Sequence, residues 1–138
     1  MSRNFDSPQD AEDAYYDALE DGDLDALLSV WAETDEICCL LPMHPLAQGR
    51  SAVRDAFARL FARGQGIALS VKHLGWIDAG EMAIHLVEEA PQPQVSGAPP
   101  MAVYGTNVYR RGADGWRLVV HQNAPTAPPG RPMPPTGR

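Results

Sequence analysis

The sequence predicts an α+β fold in which three N-terminal helices pack in the concave face of a curved, mostly antiparallel sheet. Two observations carry that prediction. Apolar residues recur at helical spacing as far as Phe61, and after Gly66 they recur at every second position. Apart from one short strand, the helical segments precede a succession of four strands, which is the α+β order and not the alternating order of a parallel sheet. A length of 138 residues, with 44% apolar and 21% charged, fits one domain around one core. At this size folding buries roughly 68–70% of the extended-chain surface, so the core can stabilise the domain without disulfides or metals.

The first helix starts at Ser7-Pro8-Gln9-Asp10, with Ser7 as N-cap, Pro8 at the first helical position and acids in the first turn. Ala11, Ala14, Tyr15, Ala18 and Leu19 share one side, and Gly22 ends the segment. Asp23 caps a second helix carrying Leu24, Leu27, Leu28 and Trp31. Glu36 to Leu41 reads as a brief buried strand stopped by Pro42 and Pro45. A third helix follows Gln48-Gly49-Arg50-Ser51, with Val53, Ala56, Phe57, Leu60 and Phe61 as its stripe, and Gly64 and Gly66 close it.

Ile67, Leu69 and Val71 then open a strand reaching Ile77, and a turn at Asp78-Ala79-Gly80 leads to a second containing Met82, Ile84 and Leu86. The four prolines between Ala90 and Pro100 predict an extended loop. Two more strands, Met101 to Arg111 and Trp116 to Asn123, are joined by Gly112-Ala113-Asp114-Gly115. The expected organisation is an N-terminal tail over 1–7, a domain over 8–124 and a proline-rich tail over 125–138, loosely laid or disordered. A sheet curved around three helices leaves a cone with a mouth.

Charge narrows the partners. The net charge is −7, and acids crowd the first 36 positions. Such a surface repels phosphate backbones and no stripe of Lys and Arg offsets it, so nucleic acid is not an expected partner. Cys38 and Cys39 are neighbours on a strand and point to opposite faces, which argues against a disulfide between them. No leader-like segment opens the chain and no apolar run is long enough to span a bilayer, so a cytoplasmic setting without membrane contact is expected. The histidines at 44, 73, 85 and 121 lack close ligand spacing, so neither a metal site nor a cofactor is expected.

Two stretches carry a family resemblance. AYYDALEDGDLDALLSVWAE (14–33), followed by LAQGRSAVRDAF (46–57), and the closing hairpin YGTNVYRRGADGWRLVVHQNAP (104–125) resemble the SnoaL-like branch of the nuclear-transport-factor-2-like superfamily. The resemblance covers roughly residues 8 to 125 and implies a cystatin-like cone. It specifies activity poorly, because the superfamily includes isomerases, cyclases, dehydratases, hydrolases and assembly domains. Against its ketosteroid-isomerase-like members, Tyr15 falls where a hydrogen-bond-donating tyrosine is expected and Tyr104 near a second donor. The base carboxylate of those enzymes belongs within Glu36 to Pro42, where Cys38, Cys39, Leu40 and Leu41 stand instead. Ketosteroid isomerase activity is therefore not expected.

Other candidates follow from strand alternation. Arg117, Val119, His121 and Asn123 share one face of the last strand, and the family register turns His121 and Asn123 into the cone. The face of Trp116, Leu118 and Val120 then lies outside, where a partner subunit would cover it, so a homodimer through the outer sheet face is expected. Glu88 shares a row with Met82, Ile84 and Leu86; either the strand reaches its exposed end at Glu88 and Glu89, or that row faces inward and Glu88 needs a partner such as His121 or Tyr104. His85 falls on the opposite row, His73 shares parity with Leu69 and Val71, and His44 reads as a solvated loop residue. Trp31 and Phe57 read first as core and second as pocket wall. The expected function is binding of a small, mostly apolar molecule by Tyr15, Trp31, Phe57, Tyr104, His121 and Asn123. Two alternatives stay open: an isomerase-, cyclase- or dehydratase-like enzyme using His121 or Glu88 as acid/base, and an oligomerisation module.

Overall fold

The computed structural model describes residues 4–62, 64, 66–92 and 102–126. Most of the expected proline-rich loop and C-terminal tail falls outside the described residues. Helix α1 (Pro8–Asp21) begins where Ser7 Oγ accepts from the Asp10 amide, and ends at Gly22 in the left-handed conformation, φ 66°. Helix α2 (Leu24–Val30) is capped by Asp23, whose carboxylate accepts from the Ala26 amide. Helix α3 (Arg50–Leu60) follows two short strands, β1 (Cys38–Leu40) and β2 (Ala47–Gln48). Arg50 ties it to α2 by donating to the carbonyls of Ala32 (2.9 Å) and Trp31 (3.3 Å), which no helical amide serves. The short strand β2 has no signature in the sequence; it is a two-residue antiparallel pairing onto β1.

Four long strands complete the sheet: β3 (Leu69–Ala79), β4 (Met82–Pro91), β5 (Val103–Gly112) and β6 (Gly115–Pro125). The order across the open, curved sheet is β2-β1-β6-β5-β4-β3, antiparallel throughout except for the parallel pairing of β1 with β6. The three helices pack against its concave face. Trp31, Tyr15, Phe57, Leu27, Val53, Tyr109 and Leu118 fill the space between and are fully buried. The expected tail over 1–7 is part of this core at one point: Phe5 is buried and its carbonyl accepts from the Trp116 amide at 2.8 Å.

Register assigns the faces, and two bulges change what alternation alone predicts. On β6 the pairing steps from Val108↔Val120 to Tyr109↔Leu118, so Val119 is the extra residue and parity inverts beyond it. Leu118, expected outside, is therefore buried against Tyr109 and Trp31, while His121 and Asn123 face inward as expected. A second bulge between His73 and Gly75 shifts β3 in the same way. The inner row of β4 is Ala83, His85, Val87 and Glu89, all buried. Met82, Ile84, Leu86 and Glu88 form the outer row, the reverse of the reading in which Glu88 faces the cone.

Candidate functional site

One row of polar and aromatic side chains crosses the concave face. Trp76 pairs with His85, His85 with Asn107, Asn107 with His121 and His121 with Cys39, so five strands contribute neighbours to one line. Helix α1 lies over it and presents Glu12, Tyr15, Tyr16 and Leu19, whose spacing of three and four residues puts them on one helix face. These residues form two clusters.

The first borders a cavity of about 320 Å³. Leu19, Leu41, Leu60, Ile67, Leu69 and Val103 supply apolar wall, and His121, Glu89, Asn123 and Tyr15 supply the polar end. The Asn123 amide donates to Glu89 Oε1 and to the Tyr104 carbonyl, both at 3.0 Å. A backbone carbonyl can only accept, so Asn123 must present Oδ1 to His121 Nε2, 2.9 Å away. At the other ring nitrogen, Asn107 Oδ1 lies 2.5 Å from His121 Nδ1, while the Asn107 amide donates to the Tyr16 hydroxyl (3.0 Å) and that hydroxyl donates to Glu89 Oε2 (2.6 Å). Both ring nitrogens then face amide oxygens, and Glu89 Oε2 lies 3.8 Å from Nε2.

Complete burial of the ring works against that charge and lowers the His121 pKa, and the Glu89 carboxylate and the Asn123 bond offset this in part. The balance at His121 is therefore between burial, which favours the neutral ring, and a nearby carboxylate, which favours the charged one. Burial raises Tyr15 and Tyr16 well above the ordinary phenol range, so both hydroxyls stay protonated. It pushes the Cys39 thiol up to about 12, so that buried cysteine is no nucleophile at neutral pH. Gly105 packs closely here: an added Cβ would lie 3.1 Å from Glu89 Oε2 and 3.0 Å from Val87 Cγ2, so either side chain would have to give way by a few tenths of an ångström.

The second cluster sits along the same row and away from the cavity. Glu12, only 2% exposed, places Oε1 2.7 Å from His85 Nδ1 and Oε2 2.7 Å from His73 Nε2. His85 is fully buried, its ring 3.8 Å from that of Trp76 and 5.0 Å from that of Tyr109, and its Nε2 has no hydrogen-bond partner among the described residues. A carboxylate in a core needs such donors, because unpaired it would cost several kcal/mol of lost hydration, on the order of the penalty for a buried ion.

Among the residues singled out in the sequence, Tyr15, His121 and Asn123 come together at the cavity. Trp31 and Phe57 do not line it; they pack together, centroids 6.4 Å apart, in the core. Glu88 and Tyr104 are corrected: they pair with each other on the outer face, where Tyr104 is 42% exposed, because inward-facing parity belongs to Glu89 and Gly105. His44 lines the mouth, its Nδ1 2.7 Å from the Pro42 carbonyl. His85, expected at a surface or interface, is buried, and His73 faces inward. Glu89, Asn107 and Glu12 were not anticipated, and Tyr16, secondary to Tyr15 in the sequence, bridges Glu89 and Asn107. Although the histidines lack local ligand spacing, the fold brings donor atoms of His73, His85 and Glu12 within 4.8 Å of one another.

The profile of the SnoaL-like domain matches residues 9–128. A crystal structure from Thiobacillus denitrificans, provisionally described as a calcium/calmodulin-dependent protein kinase type II association domain, is 36% identical over 91% of this chain and all of its own, with a TM-score of 0.84. A provisionally described dehydratase of the nuclear-transport-factor-2-like family from Streptomyces avermitilis is 28% identical over 84% of this chain and 91% of its own, with a TM-score of 0.70. A nuclear-transport-factor-2-like protein with a cystatin-like fold from Novosphingobium aromaticivorans, 22% identical over 83% of this chain and 77% of its own, has a TM-score of 0.63 and speaks for the fold alone. No curated protein matches the chain.

Proposed function

The chain belongs to the SnoaL-like domain family, and from that premise we propose that it binds a small, mostly apolar molecule carrying one polar group, held in the cone with that group at His121, Glu89 and Asn123. The observation that carries this reading is the cavity of about 320 Å³, walled by aliphatic side chains and polar at one end. Ligand pockets run from roughly 300 to 1,000 Å³, so this one suits a compound of one or two rings. The test is calorimetric titration with 2-naphthol and with naphthalene. Saturable one-to-one binding is expected, about tenfold tighter for 2-naphthol, and Val103→Trp, which fills the cavity, should abolish it. Equal affinity for the two compounds would remove the polar end from the reading, and no saturable binding of either would remove the pocket.

The balance at His121 favours an enzyme as the second reading. A buried imidazole with a lowered pKa beside a carboxylate can move a proton on a bound molecule. The dehydratase description of the Streptomyces avermitilis protein is compatible with such chemistry. Hydrogen–deuterium exchange at the α-carbon of 1-tetralone, followed by NMR, checks it. Exchange should exceed the buffer rate and fall about a hundredfold or more in His121→Phe; a rate equal to buffer eliminates the reading.

The outer sheet face supports a homodimer. Ile77 (49% exposed), Leu86 (39%) and Tyr104 (42%) stand on it beside Ile84, Val108 and Val120, and so large an apolar surface calls for cover. The likeness to an association domain points the same way. Sedimentation velocity should give a dimer, and Leu86→Glu a monomer. A monomeric parent protein would end this part of the proposal, and a larger ring would favour the assembly module.

A further inference from the structure

We propose that Glu12, His73 and His85 form a binding site for one divalent transition-metal ion, best suited to Zn²⁺ or Co²⁺. Three elements converge there: α1 supplies the carboxylate, β3 and β4 one imidazole each, with one donor atom from each residue inside a 4.8 Å sphere of mutual distance. Two nitrogens and one carboxylate are the donor set of zinc and of non-haem metal centres, and a poor one for Mg²⁺ or Ca²⁺, which take oxygen shells.

Burial separates this cluster from a chance surface grouping. Glu12 and His85 are shielded from solvent, and His85 is held between the Trp76 and Tyr109 rings, so two of the three ligands are preorganised. His73 is the adjustable arm: its side chain is 38% exposed and it adjoins the bulge before Gly75. Tetrahedral zinc holds its donors at about 2.0–2.1 Å, hence about 3.3 Å from one another. Glu12 lies 2.7 Å from each imidazole, so those contacts must open slightly around an ion, and His73, the partly exposed ligand, has room to adjust. Three protein ligands leave a fourth position on the exposed His73 side for water or an exogenous ligand.

None of the three residues lines the cavity, so the proposal stands apart from the ligand reading above. The test uses the full chain without a histidine tag, stripped with EDTA and titrated with Co²⁺ while the visible bands of tetrahedral or five-coordinate cobalt are recorded. One equivalent should bind, Zn²⁺ should displace it, and EDTA should remove it. His73→Ala alters a partly exposed side chain and should leave the fold intact, as its circular dichroism would verify, while weakening Co²⁺ binding at least tenfold. Glu12→Gln, which keeps the side chain's size, should do the same. Failure to bind Co²⁺ stoichiometrically overturns the proposal, and so does binding that neither substitution weakens.

Discussion

The two polar clusters under helix α1 use the same side-chain types and differ in which layer supplies the acid. At the cavity the sheet provides both Glu89 and His121, and the helix adds the Tyr16 hydroxyl as a bridge. In the closed cluster the helix provides Glu12 and the sheet provides His73 and His85. The first is therefore held within the sheet and leaves a face free for a bound molecule. The second is a clasp between layers, and its carboxylate depends on the helix staying where it is. One row of the sheet thus serves two purposes, with Asn107 as the divider: it pairs with His85 on one side and His121 on the other.

Breaking the clasp should have the largest effect. Glu12→Leu keeps an apolar core position filled but strands two imidazoles, one of them fully buried, at a cost of about 3 kcal/mol. Urea denaturation at neutral pH measures it. A loss under about 1 kcal/mol would mean that α1 is held by its apolar face alone and that the layer-spanning contact is incidental.

The cavity cluster should give a smaller loss. Tyr16→Phe removes one hydroxyl and leaves both an acceptor, Glu89 Oε2, and a donor, the Asn107 amide, without their partner. About 2 kcal/mol is expected, the cost of a buried hydrogen-bonding group left unmatched. Wild-type stability in this variant would show that water enters from the cavity and substitutes for the hydroxyl.

How far the sequence foretells these clusters depends on the range over which each feature is encoded. The helices are local: Ser7, Pro8 and Gly22 bound α1, Asp23 caps α2, and the Gly112–Gly115 turn sets the last hairpin. The inner row of β4 is not. Its outer residues Met82, Ile84 and Leu86 are more apolar than its inner residues His85 and Glu89, so the rule that the apolar row faces the core points the wrong way. That inversion moves the acid from Glu89 to Glu88 and sends His85 to the surface. The β6 bulge at Val119 has no signature in residue type, and it turns Leu118 inward. Glu12 meets histidines 61 and 73 positions away in the chain, beyond any local motif.

A third comparison needs no atom removed from the parent. His121 has its folded pKa lowered below 6.5 by burial, so between that lowered value and 6.5 the unfolded chain binds a proton that the native ring refuses. Its contribution is fully present above pH 6.5 and is lost as pH falls through that window. Stability measured from pH 8 to pH 5 should therefore decline on the acid side, and His121→Gln should flatten the decline. Parallel curves for the two proteins would assign the titration to other groups.

The smallest effect is expected one residue before Tyr16, and it is the sharpest contrast available. Tyr15 is buried, its ring lies 4.9 Å from that of Tyr16, and its hydroxyl has no partner among the described residues. An unmatched buried hydroxyl stabilises nothing, so Tyr15→Phe should leave the unfolding free energy within about 0.5 kcal/mol of the parent or raise it slightly. The same chemical change at adjacent positions then separates a hydroxyl that completes a network from one that the fold carries without using. If Tyr15→Phe costs as much as Tyr16→Phe, the Tyr15 hydroxyl has a partner in solution, a water or a small molecule in the cavity. Repeating the measurement with 2-naphthol present would tell those two apart, because only a displaced water would let the difference shrink.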